Sequence, residues 1–200
     1  MSLEEYCQHN IFKSLGMAST TFRLLNHPHV AANLMKMNSR NKDGQVEETQ
    51  SIYPVDPKMD LGGSNLYTSG PDFIKFLTSL MRNDGKLLRA ETTDIMFDYR
   101  LPETEEFKKF KMDEYDIKDS FGEMAPEGMQ VDHCLAGQVV LSDLKGGRKA
   151  GSVNWSGATR CFWVRGLYST HRGDILMSPT VDRQDCWNLW VLWQSDHGRG

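Results

Sequence analysis

The clearest period in the chain runs from Phe73 to Met81. Phe73, Ile74, Phe76, Leu77, Leu80 and Met81 recur at helical spacing there, with polar residues between them. A stripe of that width predicts an amphipathic helix that buries one face. Ser69 or Gly70 caps it, Pro71 sits in the first turn where a missing N–H is no loss, and Asp72 lies near the positive end of the helix dipole. Asn83-Asp84-Gly85 closes it. A second, short helix is expected over residues 91–97, with Ile95, Met96 and Phe97 packed against the first. At the start of the chain, Ser2-Leu3-Glu4-Glu5 forms a capping box and Leu3, Tyr6 and Cys7 share a helical face that Gly16 terminates. A helix capped directly after Met1 carries the expectation that an upstream part of the domain is missing.

Elsewhere the pattern is polar or alternating. Residues 38–60 read as a surface hairpin and linker, with Asn41-Lys42-Asp43-Gly44 as the turn and Pro54 and Pro57 as breaks. Leu61 to Ser69, opening on Gly62-Gly63, calls for a close-packed loop. Tyr99 to Gly128 alternates charges with few aliphatics and is expected as surface loop. Val131, Leu135, Val139, Val140 and Leu141 predict a strand, Lys145-Gly146-Gly147-Arg148 a turn, and residues 150–158 and 159–164 two antiparallel strands. The first of that pair, containing Gly151-Ser152-Val153-Asn154-Trp155-Ser156-Gly157-Ala158, carries two glycines. Glycine inside a strand pattern marks a place that a ligand or another backbone approaches closely.

Composition narrows the function. Two hundred residues, 39% hydrophobic and 25% charged, suffice for one globular core. A net charge of -4 supplies no basic field for phosphates, so nucleic acid is not expected as a partner. No apolar run is long enough to span a bilayer or resembles a signal peptide, so no membrane partner is expected and the location reads as cytoplasmic. Cys7, Cys134, Cys161 and Cys186 show no C-x-x-C spacing, so the expectation is reduced, buried thiols with no metal, disulfide or cofactor.

Several segments, in order, resemble one family. Ser2 to Tyr6 with Ile11 to Met17 and Thr20-Thr21-Phe22, then Leu61-Gly62-Gly63 through Tyr67-Thr68-Ser69 and Pro71-Asp72-Phe73, then Gly146 to Gly151, resemble the C-terminal half of the β-lactamase-like serine hydrolases. That family includes class C β-lactamases, penicillin-binding proteins and fungal esterases and transesterases. In it a Ser of S-x-x-K opens a helix with the Lys one turn away, a Tyr of Y-x-N assists proton transfer, and a third motif lies on the adjoining edge strand. The resemblance puts Trp155-Ser156-Gly157 at that third position and implies that the Ala158 N–H is one donor of the oxyanion hole.

The nucleophile has no counterpart. Ser39-Arg40-Asn41-Lys42 and Ser142-Asp143-Leu144-Lys145 fit S-x-x-K, yet both lie in polar turns rather than at a buried helix start that would lower the Lys pKa. Y-x-N is absent. Asp132-His133 is an adjacent pair without G-x-S-x-G, and adjacent residues rarely orient one another as a triad does.

The expected fold is therefore α+β, an incomplete β-lactamase/transpeptidase-like arrangement of helices packed on a partial antiparallel sheet. Residues 1–164 form the C-terminal part of a β-lactamase-related domain. Residues 165–200, with Trp187, Trp190 and Trp193, are set apart as an atypical tail, either translated out of frame or disordered. The expected function is that of a truncated, inactive serine hydrolase retaining the oxyanion wall Trp155, Ser156, Gly157 and Ala158, whose intact family takes small-molecule esters, amides or thioesters. The alternative is a non-catalytic binding or interaction protein built on the same fold. Nothing in the sequence fixes an oligomeric state.

Overall fold

The computed structural model describes residues 1–51, 53–55, 57–98, 100–102, 104–105, 130–143, 149–156, 161–167 and 172–179. They divide into two compact units, Met1–Leu87 and Leu88–Gly200.

The first unit opens as the sequence predicts. Ser2 Oγ accepts the Glu5 N–H at 3.2 Å and the Glu5 carboxylate accepts the Ser2 N–H at 2.7 Å, the reciprocal cap of helix α1, Leu3–Cys7. The chain then widens into a π-helical turn, Gln8–Phe12, before α2, Lys13–Leu15, ends at Gly16 with φ +65°. The wide turn brings Cys7 and Phe12, five residues apart, to the same interior, where they meet Met17 and Phe22 and are flanked by Leu3, Ile11, Leu15 and Phe76. Tyr6 does not join this face. It stands exposed, because the buried stripe runs along the Leu3–Cys7 side.

Two buried carboxylates tie loops to these helices. Glu4 accepts from Gln8 Nε2 and Thr21 Oγ1, each at 2.9 Å, and from the Phe22 N–H at 2.6 Å. Asp72 accepts the Ser19 N–H at 2.7 Å and the Thr20 hydroxyl at 3.1 Å. Arg23 pairs with Asp60 at 2.6 Å, and Asp60 in turn accepts the Glu4 N–H. After α3, Pro28–Ala31, the polar stretch forms the expected hairpin of β1, Asn38–Arg40, and β2, Val46–Glu48, around the 41–44 turn. Helix α4, Gly70–Arg82, is capped by Ser69, whose hydroxyl accepts the Asp72 N–H, and is closed by Asn83 in the left-handed region.

The second unit places α5, Ala90–Asp98, beside a five-stranded antiparallel sheet of order β3-β4-β5-β6-β7. Its strands are Val131–Cys134, Gly137–Val140, Val153–Ser156, Cys161–Leu167 and Arg172–Pro179. Helix α5 buries Thr93 and Phe97, four apart, and leaves Ile95 exposed, so Ile95 is not the packing residue that the sequence suggests. It docks on the sheet at the β3–β4 turn, where Met96 O accepts the Ala136 N–H at 3.1 Å. The 131–141 stretch is not one strand but a hairpin. It folds back at Leu135-Ala136, and this turn position explains why Leu135 is exposed while Val139, Val140 and Val153 are wholly buried. β6 continues three residues past Val164, and β7 pairs with it.

The loop expected at 99–128 lies mostly outside the described residues, as do the 145–148 turn and the tail tryptophans Trp187, Trp190 and Trp193. Cys7 and Cys134 are buried free thiols. No helix among the described residues is long and apolar enough to cross a membrane.

Candidate active-site strand

The candidate wall is carried by β5, and the turn that leads into it is latched at several points. The Asp143 carboxylate takes the Lys149 ammonium at 2.5 Å and the Ala150 N–H at 3.0 Å. Those two bonds, led by the one from Lys149, hold its pKa below the usual carboxylate range. Gly151 follows at φ +86°, and its N–H donates to Val140 O at 2.8 Å. Ser152 Oγ donates to Lys149 O at 2.8 Å. The chain therefore enters β5 in a fixed register.

Along β5, Val153 and Asn154 have no exposed surface, whereas Trp155 is 43% exposed. The pairing explains the change. β4 covers Val153 and Asn154, through Val139↔Val153 and Gln138↔Asn154. β6 pairs with all four residues, Trp155 opposite Trp163 and Ser156 opposite Phe162. β5 is thus an interior strand of the sheet, not the edge strand that the resemblance implies, because the 131–141 hairpin folds back and adds β4 beside it. Yet the motif end of β5 outruns the β4 pairs. At Trp155 and Ser156 the strand is edge-like, and a backbone N–H on that side can meet a ligand.

Of the predicted wall, Trp155 and the backbone of Ser156 are placed; Gly157 and Ala158 lie outside the described residues. Neither Ser-x-x-Lys match opens a helix. Ser39 is an exposed residue of β1, paired with Glu47, and Ser142 lies at an exposed bend. Asp132 accepts the backbone N–H of His133 at 2.7 Å. No cluster of His, Cys, Asp and Glu among the described residues has the arrangement of a metal site.

One residue that sequence reasoning set aside returns here. The His133 ring meets the Trp155 indole with centroids 5.3 Å apart and planes at 77°, an edge-to-face contact. His133 lies on β3, twenty-two residues earlier, opposite Gln138, which is itself opposite Asn154. The contact joins β3 and β5, strands separated by β4, and a single sequence does not display it.

No family model matches the chain. Individual proteins do. The chain is 30% identical over 168 residues to the ML-236A carboxylate methylbutanoyltransferase of Penicillium citrinum, a match covering 82% of this chain and 40% of that protein. It is 32% identical over 168 residues to the monacolin J acid methylbutanoyltransferase of Aspergillus terreus, with the same two coverages. Among solved structures it superposes on the LovD6 mutant of simvastatin synthase from Aspergillus terreus with a TM-score of 0.71 at 29% identity, covering 82% of this chain and 42% of that one. The chain thus spans about two fifths of the length of the relatives it matches. Sequence likeness to acyltransferases and a shared α+β architecture agree, and over 82% of its length the chain is similar to acyltransferases of the β-lactamase-like serine hydrolase fold.

Proposed function

We propose that this chain supplies the oxyanion-strand side of an acyl-transferring serine hydrolase and carries no nucleophile of its own. The reading rests above all on β5 losing its β4 partner at Trp155 and Ser156, where the family's third motif stands. In this reading Trp155, Ser156, Gly157 and Ala158 form one wall of the cleft. The Ala158 N–H donates to the oxyanion that forms when a serine attacks an acyl carbonyl, a contact stronger in the tetrahedral intermediate than in the ground state. The serine, its lysine and the tyrosine come from outside these 200 residues, as in the C-terminal part of a longer domain. The acyl-enzyme then passes its acyl group to a hydroxyl or to water.

The donor is a small-molecule ester, amide or thioester. Two relatives transfer a methylbutanoyl group, so a short branched acyl chain is the first substrate to test. The chain as written does not turn over.

Fluorophosphonate labelling of the purified chain, with mass spectrometry to locate adducts, tests the missing nucleophile. No stoichiometric adduct is expected. One on Ser39 or Ser142 would sink the proposal and make the chain an enzyme in its own right.

A further inference from the structure

Trp155 emerges from the sheet where β5 outruns β4 and keeps 43% of its surface exposed. Exposed indole is apolar area left in water, a cost that a bound apolar group would recover. The orientation in which that surface is presented depends on what holds the ring, and His133 touches it. A contact at 77° is edge-to-face, so it covers at most one face of the indole, whichever ring supplies the edge. His133 therefore leaves at least one indole face uncovered.

His133 is a firm support. It is nine-tenths buried, its carbonyl accepts the Leu101 N–H at 3.1 Å, and its register neighbour Gln138 is 3% exposed. Gly137, the first residue of β4, runs so close to β5 that a Cβ there would come within 2.7 Å of the Asn154 carbonyl oxygen. No side chain can stand at that position without the strands moving apart.

We propose that His133 is a positioning residue, holding the Trp155 indole edge-to-face so that its open face forms the wall against which the transferred acyl chain packs. The substrate half of this role rests on the acyl-transfer reading above. The positioning half rests on the ring geometry alone. An imidazole in this place acts on specificity, through the ring that meets the acyl chain, and takes no part in bond making.

Indole N–H resonances of the uniformly 15N-labelled chain test both halves, with Trp155→Phe assigning the Trp155 signal. In His133→Ala the Trp155 indole signal moves further than any other indole, and His133→Phe, which restores an aromatic ring, brings it back towards its original place. If His133→Ala fails to fold, His133→Gln keeps a polar side chain without the ring and shows the same displacement. Ethyl methylbutanoate titrated into the wild-type chain shifts the Trp155 signal, and binds several-fold more weakly once the ring of His133 is gone. An indole signal unmoved in the ring-deleting variants overturns the positioning role. An ester that moves no indole signal in the wild type, with the His133 effect intact, overturns the acyl-wall half and leaves the ring pair standing.

Discussion

Gly137 is the position at which one methyl group should do most harm. Its φ is +154°, a conformation that L side chains rarely adopt, and a Cβ built there lies 2.7 Å from Asn154 O and 3.5 Å from Val153 Cγ1. Real Cβ atoms keep at least about 3 Å from such neighbours, and this oxygen is backbone of a residue with no exposed surface, so it cannot swing aside. The backbone conformation costs about 1–3 kcal/mol in a non-glycine residue, and forcing atoms into a packed site costs about 1–3 kcal/mol more. Gly137→Ala should therefore lose about 2–6 kcal/mol, a large part of the roughly 5–15 kcal/mol that holds a typical domain together. Gly16→Ala is the control. Gly16 has φ +65° and nothing within 4 Å of its built Cβ, so only the left-handed backbone is strained, at about 1–2 kcal/mol. Urea unfolding followed by tryptophan emission reads the second unit selectively, because all five tryptophans lie at residue 155 or beyond. Far-UV circular dichroism follows both variants. Equal losses in the two would refute the close approach of β4 to β5.

The first unit makes predictions of its own. Glu4→Ala strands the Gln8, Thr21 and Phe22 donors and should cost about 3 kcal/mol in urea unfolding, whereas Glu5→Ala in the exposed cap should cost about 1 kcal/mol; equal costs would contradict the buried role of Glu4. Burial opposes ionisation of Asp84, but the Ser79 hydroxyl and the Lys86 N–H and ammonium outweigh it and hold its pKa below the ordinary value. A depressed folded pKa gives stability that is present above the unfolded value, about 3.9, and is lost as pH falls through the folded one. In Ser79→Ala the Asp84 carboxyl should titrate higher by 13C NMR and less stability should disappear on acidification; an unchanged titration would remove the Ser79 contribution. Burial, reinforced by the Glu4 and Asp60 carboxylates, pushes the Cys7 thiol up. Iodoacetamide at pH 8 should accordingly leave Cys7 unmodified in the native chain and label it in urea, and rapid native labelling would show the site to be open.

Local chemistry was the legible part of the sequence. The capping box at Ser2, the Asn41–Gly44 turn and the helix from Ser69 to Asn83 each depend on residues close together in the chain, so a single sequence displays them. The errors share a cause. Val131 to Leu141 read as one strand because alternation alone does not show the fold-back at Leu135-Ala136, and Ile95 read as core because apolar character does not say which face a strand covers. The candidate site divides along the same line. Trp155-Ser156-Gly157 stood out as a motif, but His133 gained a role only through a ring contact between β3 and β5 that a single sequence does not display. As half of an adjacent Asp-His pair it offers no triad, and the sequence gives no sign of the ring it meets.

The π-helical turn at Gln8–Phe12 has a consequence for how this helix can change length. It holds one residue more than an α-helical turn needs, and the surplus is accommodated on the solvent side, where Asn10 Nδ2 donates to the Tyr6 carbonyl at 2.9 Å. Loss of a residue there would draw the turn back to ordinary pitch and bring the aromatic that now sits at Phe12 to a four-residue spacing from Cys7, still on the buried side. The same deletion in α4 would rotate everything beyond it by about 100° and turn its apolar stripe towards water. Insertion and deletion in the opening helix can thus cancel within a single turn, which makes that turn a hinge of sequence length rather than of motion.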